Sequence, residues 1–290
     1  MPIALKNQAL IYTPGPGGQS DGYVKLGRVF NPPPGQTEPE LMSQLAENPR
    51  LMAGLETDLS LAHYRAKDDK LVLIRDGCGL SPLFYAPKDG GWVVAFELGT
   101  LFEILGGPPP MDEETFFDFV ATHYRYVFRD PGRTFHKGVR QVPPGTALTL
   151  SAGTQKLERW LNLSFWDEIP KLGPQAAAEK YVSLLDENVA LRLKALEGER
   201  YAFTVSSGMD SSTVAALAYR HLGKPLECWF MAYKDLADSP YDESQGVNDL
   251  IKATGWKLNR VDLTAPDLLE ETSALMELTK APMITVTWLA

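Results

Sequence analysis

The sequence predicts a two-part chain of class α+β plus α/β, a β-rich first half followed by a doubly wound parallel α/β half. Three observations carry this. Short runs of β-formers and tight turns fill residues 1–162. A break follows near Asn162–Pro174. From Arg200 the order is strand, loop, helix, strand, helix, strand, and that alternation means a parallel sheet with crossover helices. The 290 residues leave room for two cores, at ~100–200 residues per domain.

In the first half, Leu71–Ile74 and Trp92–Phe96 are runs of β-formers. Phe84–Phe96 reads as a hairpin turning at Asp89-Gly90, a pair that tolerates positive φ. A second hairpin is expected from Thr146–Leu150 to Gln155–Arg159. Between them, Asp112–Tyr124 has an acidic first turn and then Phe116, Phe117, Phe119 and Val120 at helical spacing. Pro14–Asp21, Pro32–Pro34 and Pro108–Pro110 are loops. In the second half, Pro174 sits where a helix would start. Ala176–Glu197 is then helical, closed by Gly198, with Tyr181, Leu184, Leu185 and Val189 on one face. A strand follows Arg200, then a helix at Ser211–His221, a strand at Leu226–Tyr233, a helix at Asp242–Thr254 and a strand at Leu258–Val261. The expected domains are residues 1–162 and 175–290. Three strands are few for an α/β domain, and the chain stops inside the apolar run Thr287-Trp288-Leu289-Ala290. The second domain is therefore expected to be truncated.

Composition narrows the function. The chain is 44% apolar and 22% charged, as in soluble globular proteins. It has no apolar run near the ~20 residues of a membrane helix. The start, Met1-Pro2-Ile3-Ala4-Leu5-Lys6-Asn7, has no signal-peptide pattern, so a cytoplasmic location is expected by default. A net charge of −9 argues against nucleic-acid binding. Cys78 and Cys228 show neither a disulfide framework nor metal spacing, and His63, His123, His136 and His221 are scattered.

The stretch from Tyr201 to Ala218 carries the chemistry. It reads as a short strand, the small-residue loop Val205-Ser206-Ser207-Gly208-Met209-Asp210-Ser211-Ser212, and an amphipathic helix. Backbone N–H groups and a helix N-terminus make such a loop a phosphate cradle. No Gly-Lys-Ser/Thr closes it, so it is not a Walker loop. The hydroxyls of Ser206, Ser207, Ser211 and Ser212 add donors, and Gly208 is expected to adopt a backbone geometry most residues resist. Asp210 would repel phosphate directly and is expected to hold Mg²⁺. The plainer reading is a Ser-rich turn capping a core helix.

The loop resembles the pyrophosphate loop, Ser-Gly-Gly-x-Asp-Ser, of enzymes that split ATP into AMP and pyrophosphate. Held so, ATP leaves its α-phosphorus open to a carboxylate, giving an acyl-adenylate that an amine then resolves. Further segments resemble the glutamine-dependent asparagine synthetases. Arg75-Asp76-Gly77-Cys78-Gly79-Leu80-Ser81-Pro82-Leu83-Phe84-Tyr85 is similar to their Arg-Asp-x-x-Gly-x-x-Pro-Leu-Tyr. Ala95–Leu101 resembles Ala-Ser-Glu-x-Lys-x-Leu, Phe135–Gly145 their Pro-x-Gly turn, and Arg159-Trp160 an aromatic strand end. Asp242-Glu243 resembles the segment after their second synthetase strand. The match runs over roughly residues 55–290. It implies an N-terminal-nucleophile glutaminase-like domain followed by an adenylating ATP-pyrophosphatase domain, with ATP and Mg²⁺ as cofactors. It also implies that Val205 and Met231 lie at the adenine.

The departures define the expected function. That family's glutaminase needs a cysteine directly after the initiator methionine, and position 2 is Pro2. The Asn-Gly-Glu glutamine-binding stretch is missing as well. No catalytic nucleophile is identifiable, and glutamine hydrolysis is not expected. Ser207 replaces the first loop glycine, which is tolerable if its backbone angles are ordinary. The expectation is an ATP-dependent amide ligase acting on a small-molecule or peptide carboxylate, with ammonia or a substrate amine as nucleophile. The alternatives are an intramolecular cyclase of the β-lactam or lasso-peptide type, and a non-catalytic or split-site subunit. A homodimer or a second polypeptide are the protein partners left open. An ATP-pyrophosphatase-type enzyme acting on tRNA or a nucleotide shares the loop but is disfavoured by the acidic composition and by the glutaminase-like first domain.

Overall fold

Alternate residues along the strands of the first half are buried on opposite sides, and that alternation sets its layering. The computed structural model describes residues 3–6, 8–14, 20–122, 130–152, 154–162, 171–237 and 239–282. These form two compact units. The first runs to residue 162 and includes Met276–Pro282; the second runs from Lys171 to Leu275.

The first unit holds ten strands: β1 Ile3–Lys6, β2 Ala9–Tyr12, β3 Gly22–Leu26, β4 Ser60–Arg65, β5 Lys70–Ile74, β6 Phe84–Lys88, β7 Gly91–Ala95, β8 Arg140–Gln141, β9 Thr146–Ser151 and β10 Thr154–Arg159. They form two five-stranded sheets, ordered β1-β2-β7-β6-β8 and β10-β9-β5-β4-β3. Among the described residues three α-helices accompany them: α1 Glu38–Glu47, α2 Leu98–Leu105 and α3 Glu113–Thr122. Leu71 and Leu73 of β5 share one buried cluster with Leu148 and Leu150 of β9, and with Leu10, Tyr12 and Val94 of the other sheet. That cluster draws on both sheets and lies between them. Val72 and Ile74 point the other way, onto Leu41, Met42 and Leu45 of α1. Val93 and Ala95 of β7 likewise pack on Leu98, Leu101 and Phe102 of α2. The order of layers is helix, sheet, sheet, helix. Both faces of the central strands are covered, which is why they read as continuous apolar runs.

The expected hairpins form. β6 and β7 pair antiparallel with Lys88 opposite Gly91, and Asp89 and Gly90 take φ of +50° and +79°, the turn such pairs favour. β9 and β10 pair from Thr146↔Arg159 to Ser151↔Thr154. Helix α3 departs from the sequence pattern. Phe119 and Thr115 are its buried residues, whereas Phe117 and Val120 are exposed at 66% and 51%. Only one side of its aromatic run meets the core.

His63 on β4 is buried, and its Nε2 lies 3.2 Å from Ser43 Oγ. Burial holds its imidazole below the ordinary 6.5. The unfolded chain then binds the extra proton first, so stability is full at neutral pH and falls as pH drops through about 6.5. Melting temperature against pH should show that loss between pH 7 and 5, and His63→Gln should flatten it. An unchanged profile in the variant would show that other groups carry the dependence.

The second unit contains α4 Pro174–Ala195, β11 Phe203–Thr204, α5 Met209–Leu222, β12 Glu227–Tyr233, α6 Ser244–Thr254 and β13 Lys257–Leu263, and helix α7 Ala265–Thr279 begins in it. The strands form a parallel sheet in the order β11-β12-β13. Cys228, Phe230 and Ala232 of β12 share a buried cluster with Ala215 of α5 and Val247 of α6, so both crossover helices cover one face of β12. The intervening residues Trp229, Met231 and Tyr233 face the other way and are incompletely buried. Helix α4 starts at Pro174 as expected. Its Val189 packs on Leu217 and Ala218 of α5, but Tyr181 and Leu184 are exposed. Helix α5 covers only the C-terminal part of that face. No helix among the described residues is long and apolar enough to cross a membrane.

Candidate phosphate loop and nucleotide cleft

The loop between β11 and α5 is short because β11 ends at Thr204 and α5 begins at Met209. Val205 extends the strand by one rung, its N–H donating to the Trp229 carbonyl at 2.9 Å. The chain then turns on its own hydroxyls. Ser206 N–H donates to Ser211 Oγ at 3.1 Å, the Ser206 and Ser211 hydroxyls lie 2.8 Å apart, and Gly208 N–H donates to Ser206 Oγ at 3.1 Å. Ser212 Oγ donates to the Gly208 carbonyl at 2.9 Å. These bonds tie the loop to the first turn of α5. The amides of Met209 and Asp210 lie in that turn, where no carbonyl within the helix can accept from them. They point the positive end of the helix outward.

Gly208 caps α5 at φ −72° and ψ 153°, an extended geometry that any residue adopts. This corrects the expectation of a restricted backbone there. The glycine matters for space: a Cβ at 208 would lie 3.1 Å from Ser206 Oγ. Ser207 has no positive φ, so its angles are ordinary, as its replacement of a motif glycine requires. Its N–H donates to Glu243 Oε2 at 2.7 Å, and its hydroxyl to the same oxygen at 3.1 Å. Glu243 immediately precedes α6, 36 residues along the chain, and the sequence placed it only by resemblance.

Beside the loop is a cleft of 660 Å³ lined mainly by apolar atoms. Val205, Ser206, Ser211, Trp229, Met231 and Val261 are among its walls. Val205 is buried and Met231 half-buried. An apolar cleft opening beside a ring of N–H and O–H donors matches a flat base attached to a phosphate chain. Met209 and Asp210 are exposed on the first turn of α5, and Met209 is 80% exposed. The structure therefore brings together the loop residues Ser206, Ser207, Gly208, Ser211 and Ser212 with Val205 and Met231 of the cleft. Asp210 stands at the helix start. No group of three or more His, Cys, Asp or Glu residues forms a metal cluster among the described residues. A single carboxylate beside phosphate donors fits Mg²⁺, which takes one or two carboxylates and completes its shell with phosphate oxygens and water.

Comparison with known proteins gives the family. A family model described as "Glutamine amidotransferase domain" matches residues 41–161, and one described as "Asparagine synthase" matches residues 180–289. The chain belongs to the asparagine synthetase family. Among the family's proteins, one from Mycobacterium bovis named as a glutamine-hydrolysing asparagine synthetase is 30% identical over 158 residues, 52% of this chain and 23% of that protein. Asparagine synthetase 3 of Bacillus subtilis is 23% identical over 227 residues, 73% of this chain and 35% of its own length. A GMP synthase of Xylella fastidiosa is 23% identical over 163 residues, 47% of this chain and 31% of the enzyme. The chain thus spans 23% to 35% of the length of these relatives. Among solved structures, the glutamine phosphoribosylpyrophosphate amidotransferase of B. subtilis covers 84% of this chain and 51% of its own at 14% identity, with a TM-score of 0.32.

Proposed function

We propose that this chain is the nucleotide-binding portion of an ATP-dependent amide-bond ligase that activates a carboxylate as an acyl-adenylate and releases pyrophosphate. One observation carries the reading: in a chain of the asparagine synthetase family, a loop of Ser, Gly and helix-N-terminal donors opens beside an apolar cleft. The Met209 and Asp210 amides at the start of α5 would hold the two outer phosphates, and the Ser206, Ser211 and Ser212 hydroxyls would turn from their loop acceptors to the ligand. Val205 and Met231 would flank the base. Asp210 would hold Mg²⁺, which when bound neutralises phosphate charge. That grip leaves the α-phosphorus as the electrophile. A substrate carboxylate oxygen bonds to it, the α–β bridging P–O bond breaks, and its electron pair leaves with pyrophosphate. Ammonia or a substrate amine then attacks the acyl carbon, and AMP departs.

The same reading holds that the chain does not hydrolyse glutamine. Exposed Cys78 sits in a turn whose N–H groups bond to Asp76, and Cys228 is buried on β12 with its thiol pushed up by burial. A thiol raised in this way is not poised as a nucleophile.

The test is the product of ATP cleavage. Incubation with Mg²⁺-ATP, candidate carboxylates and ammonia should yield AMP and pyrophosphate in equal amounts. ADP and phosphate as the products would reject the mechanism.

A further inference from the structure

We infer that Glu243 is the positioning residue of the phosphate loop, gripping Ser207 from α6, and that Gly246 makes the room this grip needs. The inference rests on the ligase reading above and names the part that holds the loop in shape.

Glu243 Oε2 accepts from both the Ser207 N–H and the Ser207 hydroxyl. No cation within salt-bridge distance of Glu243 is present among the described residues, so its charge is met by loop donors. A carboxylate beside a polyphosphate site is repulsive unless it occupies donors the phosphates do not use. Two bonds to one residue do this: Ser207 is turned toward α6, and the Met209 and Asp210 amides at the start of α5 are left for the ligand. The grip explains a serine where the resembling loop has glycine, because the extra hydroxyl supplies the second bond.

The serine also needs space. A Cβ at Gly246, one turn into α6, would lie 2.8 Å from Ser207 Cβ and 3.6 Å from its Cα. Side-chain carbons do not approach so closely, so any residue but glycine at 246 displaces Ser207. The start of α6 is itself held. Ser244 N–H donates to Asp242 Oδ1 at 2.9 Å, and Arg260 of β13 donates to Ser244 Oγ at 3.0 Å. Helix α6 is therefore a fixed post, and Glu243 with Gly246 transmits its position to the loop.

The experiment measures Mg²⁺-ATP affinity by calorimetry on the full chain, with the melting temperature of each variant. Glu243→Ala should weaken binding about tenfold, the scale of one hydrogen bond to a charged group. Glu243→Gln, which keeps an acceptor oxygen, should recover most of that loss. Gly246→Ala should weaken binding as much, and the double variant S207G/G246A should restore it, because removing the serine Cβ removes the clash. A merely structural role would not be rescued by a second substitution that also deletes a hydrogen bond. Tighter binding by Glu243→Ala and Glu243→Gln would make the carboxylate a plug in the anion seat and overturn the inference. So would wild-type affinity in Gly246→Ala. If the wild-type chain itself binds no nucleotide, the ligase reading fails and takes this one with it; wild-type binding with unchanged variants overturns the grip alone.

Discussion

Gly208→Val should abolish measurable ATP binding while leaving the second unit folded. Space at a single atom decides this. A Cβ at 208 would already lie 3.1 Å from Ser206 Oγ, and valine adds two methyl groups beyond it. The Ser206 hydroxyl cannot simply yield, because it accepts from Gly208 N–H and pairs with Ser211 Oγ at 2.8 Å. Moving it unties the loop from α5, and leaving it puts valine methyls over the amides that must face phosphate. Two or more charge-assisted bonds are lost, at about 1.5–3 kcal/mol each, which is on the order of 100-fold or more in affinity. The fold tolerates the change, since residue 208 is exposed and its φ of −72° suits a β-branched side chain. Gly208→Ala should cost far less, because one methyl asks for a shift of only a few tenths of an ångström. Titration calorimetry decides it: valine at 208 with wild-type affinity would remove the loop from the nucleotide site.

Asp210→Asn separates charge from shape at the same place. The amide is nearly isosteric, and Asp210 is exposed at the start of α5, so melting should not move. Its binding defect should appear with Mg²⁺ present and shrink in its absence. A defect equal in both conditions would give Asp210 a role other than metal binding.

The loop was legible because its chemistry is local. Small residues between a strand and a helix suffice to place donors, and Asp89-Gly90 fixes a hairpin for the same reason, through two positive φ angles. What escaped the sequence are contacts across distance. Nothing local to Glu243 says that it reaches Ser207, and nothing local to Gly246 says that it faces a side chain on another element. Helical periodicity also overstated burial. Tyr181 and Leu184 share the apolar spacing of Leu185 and Val189, but Val189 is the one that meets α5 with its side chain buried. Periodicity reports which residues could share a face, and packing decides how far along the helix that face is covered. Gly208 shows the opposite error: its identity was read as conformational when its reason is steric.

Asp76→Ala should lower the stability of the first unit by about 3–5 kcal/mol, the scale of leaving three N–H groups without their charged acceptor at about 1–3 kcal/mol each. The Arg75-Asp76 pair served the sequence only as a signature, and the structure gives it a physical task. Asp76 is fully buried. Its carboxylate accepts from the N–H groups of Cys78, Leu80 and Ser81 at 3.1, 3.0 and 3.0 Å. Arg75, also buried, donates to the carbonyls of Gly79, Ser81 and Val142 at 2.9, 3.1 and 2.8 Å, and to Gln141 Oε1 at 3.2 Å. Ser81 is gripped from both sides, by Asp76 at its N–H and by Arg75 at its carbonyl. The two residues thus fold the turn of residues 76–81 and fasten it to the segment after β8. Removing the carboxylate leaves three loop amides without their acceptor. At about 2–4 °C per kcal/mol for a unit of this size, scanning calorimetry should show its transition lowered by roughly 6–20 °C. Asp76→Asn should fall between, since one carbonyl oxygen still accepts while the new NH₂ faces amide donors. An Asp76→Ala chain that melts like the wild type would mean that water replaces the carboxylate at no cost, and that the motif's aspartate is not there to build the turn.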